Sequence, residues 1–544
     1  MTRNFISQGL IFLAITLLVT QQVAVAYPLE SLDSVVGRSD FSIDQTSSSP
    51  FFSRSKRSLS SSVKSCLSKT GAKLTYPSNS TYDNLAKAEN TNYGILHPDV
   101  IVSPSSTQQV AATVKCVAAD NGNTKFSPRG GGHGYAAYSL AGNVVMDFSN
   151  MTNIVVNSST KQVVTGAGAT LGPLAKAMGQ QGFALPHGTC PQVGSAHGLG
   201  GGWGYASRKW GWMMDHIVAL ELVDANGNIR TLTQQSTGSD ADLWWALRGA
   251  GSNNFGVVTH FTYAMEQAPP LTTNYNHVYG SNADCAKVLL VLQDLGSKTD
   301  ANSGLPSEFG AELLMYGENS GDDGACSLSG QFLGSKTSYQ RTMKKINSAL
   351  SAQGVTATKV SAQEFNNWVD ALTNIMGNLD QPKVYEPYYA QSIMDDGTPG
   401  YTASSAKAIT DAMQAAVGVE GSGNSISFDL NGPLSATNAN PAYGAMSFNH
   451  RNSLFFSQIY SYAFPGFNDP SARSDALQKI SAITQATRNA KPNGDWHAYQ
   501  NYIDPELKNF GTAYYGNNLN RLKSIKSTSD PKTIFDFPQG LAHA

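Results

Sequence analysis

Between residues 95 and 265 short β-branched runs alternate with helical and glycine-rich stretches. VVMDF (144–148), IVVN (154–157), HIVALELVDA (216–225) and NFGVVTHFTY (254–263) carry the residue types that predict strands. TQQVAATVKCVAADN (107–121) repeats its apolar residues at helical spacing, and LGPLAKAMGQQG (171–182) predicts a helix ending near Gly182. After Pro269-Pro270 the texture changes. SYQRTMKKINSALSAQG (338–354) and SSAKAITDAMQAAVG (404–418) predict helices, whereas GAELLMYG, YYAQSIM, SISFDLNG and SLFFSQIYSYAF predict strands. Consecutive strands followed by helices imply an antiparallel sheet with helices packed on one face. The expectation is an α+β chain with one domain over 63–267, a second over 268–495, and an aromatic-bearing closing segment over 496–544.

The first residues follow another pattern. A basic start (MTRN), an apolar run (LIFLAITLLV) and Ala-Val-Ala before Tyr27 predict a secretory signal peptide over 1–26. The run is too short to span a bilayer core of ~30 Å. Residues 27–62 are Ser-rich and contain Lys56-Arg57, which reads as a propeptide with a dibasic processing site and no packed core. The expected location is therefore extracellular. A chain of 544 residues is long enough for more than one domain. Its net charge of −2 gives no electrostatic drive toward nucleic acid or an anionic membrane, so the expected partner is a small, largely neutral molecule. Five cysteines leave one over in an oxidising compartment. As disulfides, Cys66 with Cys116 and Cys285 with Cys326 would each contribute up to ~4 kcal/mol. Cys190 is then the odd one. Sequons at Asn79, Asn150 and Asn157 predict a glycosylated exterior.

Chemistry concentrates in two glycine-rich stretches, SPRGGGHGY with His133 and PHGTCPQVG with Cys190. Glycine permits sharp turns and close backbone approach, so a nucleophile in each loop points to a planar cofactor held by covalent bonds. GLGGGWG (198–204) lacks the G-x-G-x-x-G spacing of a nicotinamide site. No metal-ligand spacing surrounds His187 and His197, and no G-x-S-x-G elbow is present. No metal is expected.

Five stretches, in this order, carry a family resemblance: RGGGH (129–133), GTCPQVG (188–194), GLGGGWGYASRKWGWMMDHIVALELVDANG (198–227), DLWWALRGAGSNNFGVVT (242–259) and the NYID…YYGNNLNRLKSIK…DP…F…PQ tail (501–539). The chain resembles the berberine-bridge-enzyme-like FAD-linked oxidases of the vanillyl-alcohol oxidase superfamily, in particular the secreted oligosaccharide oxidases. The resemblance implies that superfamily's two-domain FAD-binding fold. It implies FAD bound through its 8α-methyl carbon to His133 and through ring carbon C6 to Cys190. Gly130, Gly131, Gly132 and Gly134 would bring backbone N–H groups to the pyrophosphate. Arg129 would meet its charge or form a structural salt bridge, and Gly194, Gly198 and Gly256 would belong to the same cradle.

The same resemblance gives Tyr502 in the N-Y-x-D-P motif as catalytic base and Asp429 as its partner, with Tyr135 and Gln458 contacting substrate. Gln391 is expected to line the pocket, while Tyr385, Tyr388, Tyr389, Tyr443, Tyr460 and Tyr462 are assigned to the core. The expected reaction oxidises the anomeric C1 hydroxyl of a reducing oligosaccharide to a lactone, with O2 reduced to hydrogen peroxide. The alternative is a flavin oxidase that tailors a secondary metabolite, which a glutamate base would favour. A third class, a non-catalytic secreted flavoprotein, has no use for His133, Cys190 and Tyr502 together.

Overall fold

A computed structural model describes residues 58–320, 324–466, 469–491 and 496–544. The expected signal peptide and the Ser-rich segment up to residue 57 lie outside the described residues. Strands β1 (Lys73–Thr75), β2 (Val100–Ser103), β3 (Phe126–Arg129) and β4 (Val144–Asp147) form one sheet in the order β1-β2-β4-β3. Both β2 and β3 run parallel to β4. Helix Thr107–Ala118 makes the connection between β2 and β3. Its start is set by Ser106, whose side chain accepts from Gln109 N, and Val110, Val114 and Val117 bury one face.

Then follow β5 (Ile154–Asn157), β6 (Gln162–Gly166), β7 (Phe183–Ala184), β8 (Ile217–Val223), β9 (Ile229–Thr233), β10 (Val257–Ala264) and β11 (Glu266–Gln267). Five of them make an antiparallel sheet in the order β5-β6-β10-β8-β9, and β7 pairs with β11. The β-branched runs of the sequence thus became strands at the expected places.

The rest of the strands build one antiparallel sheet: β12 (Thr272–Tyr279), β13 (Phe309–Met315), β14 (Cys326–Phe332), β15 (Lys359–Phe365), β16 (Tyr388–Asp395), β17 (Gly423–Leu430) and β18 (Phe455–Tyr462). Their order is β15-β12-β14-β13-β17-β18-β16. Helices Asn282–Gly296, Lys336–Ser351, Ala403–Ala415 and Pro470–Asn489 cover one face. Leu292, Ile346, Ile409 and Ile480 pack there on Leu313, Phe428 and Ile459. Because side chains alternate across a strand, their neighbours Glu312, Asp429 and Gln458 point to the opposite face. On that face Phe456 joins the core shared with the earlier sheets. The sheet therefore turns a polar row toward the loops that carry His133 and Cys190.

The C-terminal segment returns to β3, where Phe126 N donates to Ile534 O at 2.8 Å and Phe535 meets Phe126 edge-on. Disulfides join Cys66 to Cys116 and Cys285 to Cys326, and Cys190 is a free thiol. The sequon residues Asn79, Asn150 and Asn157 are all exposed. Among the described residues no helix is long and apolar enough to cross a membrane.

Candidate active site

Two glycines press the His133 loop against the Cys190 loop. A Cβ on Gly131 would stand 2.4 Å from Gly194 N, and one on Gly194 would stand 2.5 Å from Gly131 N. Only backbone against backbone fits at that separation. Gly130 faces Ala167 O in the same way, at 2.7 Å from its notional Cβ. Gly134 is different, with nothing within 4 Å, so the loop keeps an open side next to His133. Gly198 and Gly256 have protein in their missing side-chain space, the Tyr263 hydroxyl and Val223 O respectively. Arg129 donates to the carbonyls of Leu85 and Lys87 and lies 3.7 Å from Asp147 Oδ2. Its Nε is buried without a partner.

His133 Nε2 lies 3.0 Å from Glu89 Oε1. Burial depresses the imidazole to about 4. Burial also lifts Glu89 to about 8, although Lys383 and Arg129 pull the other way. The contact at neutral pH is thus a hydrogen bond between uncharged groups. Cys190 Sγ sits 3.7 Å from Gln192 Oε1, and burial pushes its thiol up to about 12. It stays protonated and unreactive until a ligand changes its surroundings. A backbone cradle with a histidine and a cysteine at its rim fits a flat, edge-attached cofactor such as FAD.

On the sheet side, the rings of Tyr135 and Tyr502 stack in parallel, with centroids 5.6 Å apart and planes 4° from parallel. Gln458 Nε2 donates to Tyr135 Oη at 2.7 Å. Tyr388 and Tyr460 stack on each other and meet Tyr135 edge-on, at 5.2 and 6.3 Å. Tyr502 also touches Phe456 and Tyr499. Beside this cluster Asp429 on β17 stands opposite Glu312 on β13. Ser427 Oγ donates to Asp429 Oδ2 at 3.4 Å, and Tyr205 Oη donates to Glu312 Oε1 at 3.4 Å. Burial first, then the facing Glu312 charge, pushes Asp429 well above the usual carboxylate range; burial raises Glu312 as well. The two carboxyls hold one proton between them more readily than two charges.

Burial drives the Tyr502 phenol up, and the charges of Tyr135 and Asp429 add to it. No hydrogen bond joins Tyr502 to Asp429, so the expected pair shares a neighbourhood rather than a contact. The Cys190 thiol bears electrostatically on Tyr135 and Tyr460, which places it beside the same cluster.

Two expectations need correction. Gln391 does not reach this face: it stands opposite Ile459 in the ladder and bonds Tyr389, Ser481 and Thr484 beneath helix Pro470–Asn489. Of the tyrosines assigned to the core, Tyr385 is exposed, and Tyr388 is buried although alternation puts it and Tyr460 on the Gln458 side, away from the helix-side core that holds Tyr389. Glu89, Glu312 and Tyr499 had no assigned role, and only their places in the fold bring them here. His187 bonds Gly188 O, and His197 accepts from Gly188 N and ties to Asn501, so both brace the Cys190 loop.

Residues 98–233 match the family model for an FAD binding domain, and 498–542 match the berberine and berberine-like model. The chain is 28% identical over 471 residues to the xylooligosaccharide oxidase of Thermothelomyces thermophilus, covering 82% of this chain and 88% of that protein. The BBE-like 1 structure from Physcomitrella patens superposes with a TM-score of 0.76 at 31% identity, over 89% of this chain and 99% of that one. A glucooligosaccharide oxidase from Acremonium strictum, described with a 6-S-cysteinyl, 8α-N1-histidyl FAD, gives a TM-score of 0.77 at 25% identity, over 89% of this chain and 99% of that one. The match along nearly the full length of the Physcomitrella patens protein, together with both family models, makes this chain a member of the berberine-bridge-enzyme-like FAD-linked oxidoreductases.

Proposed function

We propose that the protein is a secreted oligosaccharide oxidase that holds FAD through His133 and Cys190 and oxidises the C1 hydroxyl of a reducing sugar to a lactone. The observation that carries this reading is the parallel Tyr135–Tyr502 stack, bridged to the sheet by Gln458 and set beside the Asp429–Glu312 carboxyl pair. Aromatic faces pack on the C–H faces of a pyranose, and an amide serves its hydroxyl edge. Xylo- and glucooligosaccharide oxidases among the relatives support the substrate class.

His133 and Cys190 would hold the FAD, which would supply the acceptor for the C1 hydride and the path of the electrons to O2. The protein handles the proton. Tyr502 Oη accepts it from the C1 hydroxyl while giving up its own, because a buried phenol does not rest as tyrosinate. Asp429 is the terminal acceptor. Its raised proton affinity narrows the gap to the phenol. Tyr135 and Gln458 orient the sugar. Hydrogen peroxide release measured with cello-, malto-, xylo- and chito-oligosaccharides, against aromatic alcohols, tests the reading. Turnover confined to sugars is expected; silence on every sugar would sink it.

A further inference from the structure

We propose that Glu89 is a positioning residue for covalent flavin attachment, holding Nε2 of His133 so that Nδ1 is the nitrogen that attacks. The inference deepens the reading of His133 as an attachment point and rests on it. The hydrogen bond made by one imidazole nitrogen fixes the state of the other. Once Glu89 is ionised, its Oε1, 3.0 Å away, accepts the Nε2 proton and leaves the lone pair on Nδ1.

Glu89 is held to this task by its surroundings. Glu386 N donates to Glu89 O at 3.2 Å, and Asn90 Nδ2 donates to the carbonyls of both Tyr135 and Tyr388 at 2.9 Å. Tyr135 lies in the His133 loop, so one clasp fixes carboxyl and imidazole relative to each other. Glu89 Oε2 is buried without a partner, which leaves the carboxyl an open position for a proton. The sugar chemistry proposed above makes no use of Glu89.

The step balances as follows. Nδ1 forms a bond to the flavin 8α carbon, and one 8α C–H bond breaks with loss of its proton. The Nε2 proton passes to Glu89. The electron pair of the broken C–H bond enters the ring system, which is reduced by two electrons and takes up two protons. O2 then removes two electrons and two protons as hydrogen peroxide. The groups facing Glu89 are His133, Lys383, Arg129 and Glu386; burial and Glu386 raise its proton affinity, Lys383 and Arg129 lower it, and the net lies near 8. The proton-accepting carboxylate, and with it the attachment rate, increases as pH rises through that value.

In Cys190→Ala protein, flavin that survives denaturation reports the His133 bond alone. E89Q preserves the shape of the side chain and cannot accept a proton. The E89Q/C190A protein is expected to bind FAD when native and to attach it about 10²-fold more slowly, so that most flavin is released on denaturation. Glu89→Asp in the same background should restore part of the attachment. Equal retention in C190A and E89Q/C190A would overturn the proposal. Should the double variant fail to fold, peptide masses from E89Q with Cys190 intact decide the matter. An unmodified His133 peptide beside a flavin-bearing Cys190 peptide is expected, and a flavin-bearing His133 peptide overturns it. Release of all flavin from C190A itself would instead remove the parent reading of His133.

Discussion

Gly131→Ala is the perturbation whose consequence the structure states most sharply. The new Cβ would lie 2.4 Å from Gly194 N, 2.8 Å from Gly194 Cα and 3.0 Å from Gln192 O. Relaxed contacts between such atoms begin at about 3.5 Å, so the two loops must part by about 1 Å. All three neighbours are backbone, and none can swing aside as a side chain would. Overpacking of this kind costs about 1–3 kcal/mol of folding free energy. The chemical effect is larger, since a displacement of about 1 Å in reacting groups costs about 10²-fold in rate. His133 and Cys190 would no longer reach one flavin edge together. The assay is the fraction of flavin that stays with acid-precipitated protein, alongside denaturant unfolding. Gly134→Ala is the control for the stability measurement, because its Cβ meets no protein atom within 4 Å. A Gly131→Ala protein with the parent's covalent flavin and stability would refute the reasoning.

Tyr502→Phe should lower kcat by about 10²–10⁴-fold with flavin content unchanged, as read by stopped-flow reduction of the bound flavin. Because burial and Glu312 raise the Asp429 proton affinity, the base form is lost as pH falls through a value well above the usual ~4, and kcat/KM should decline there. Glu312→Gln removes the like charge and should move that acid limb to lower pH, though burial keeps it above the ordinary range; an unmoved limb counts against the pair. Lys491 and Asp395 form an ion pair with both side chains 1% exposed. Lys491→Met should destabilise by about 3–5 kcal/mol in urea unfolding, and adding Asp395→Leu should recover most of that loss.

His133 and Cys190 were readable because their chemistry sits in contiguous loops and cysteine arithmetic left Cys190 unpaired. Tyr502 was readable through a motif in the tail. Glu312 was not, because it meets Asp429 only through the β13–β17 register, and register depends on the whole sheet rather than on local pattern. Gln391 was misplaced for a related reason: strand parity alone sets it opposite Ile459, among core residues. Two strands hide from periodicity in opposite ways. β15 is exposed along nearly its whole length at the sheet edge, and β12 is buried throughout despite its polar sequence. Glu89 lies outside any regular element, so its approach to His133 follows from backbone pairing with the segment around Glu386.

The central claim is that a reducing sugar gives its C1 hydride to a flavin held by this chain. Anaerobic mixing of the purified protein with a reducing oligosaccharide tests it directly. The account predicts that the visible flavin band bleaches with the sugar, returns on admission of O2, and is untouched by the same sugar reduced to its alditol. A band unchanged by every oligosaccharide yet bleached by an aromatic alcohol would contradict it.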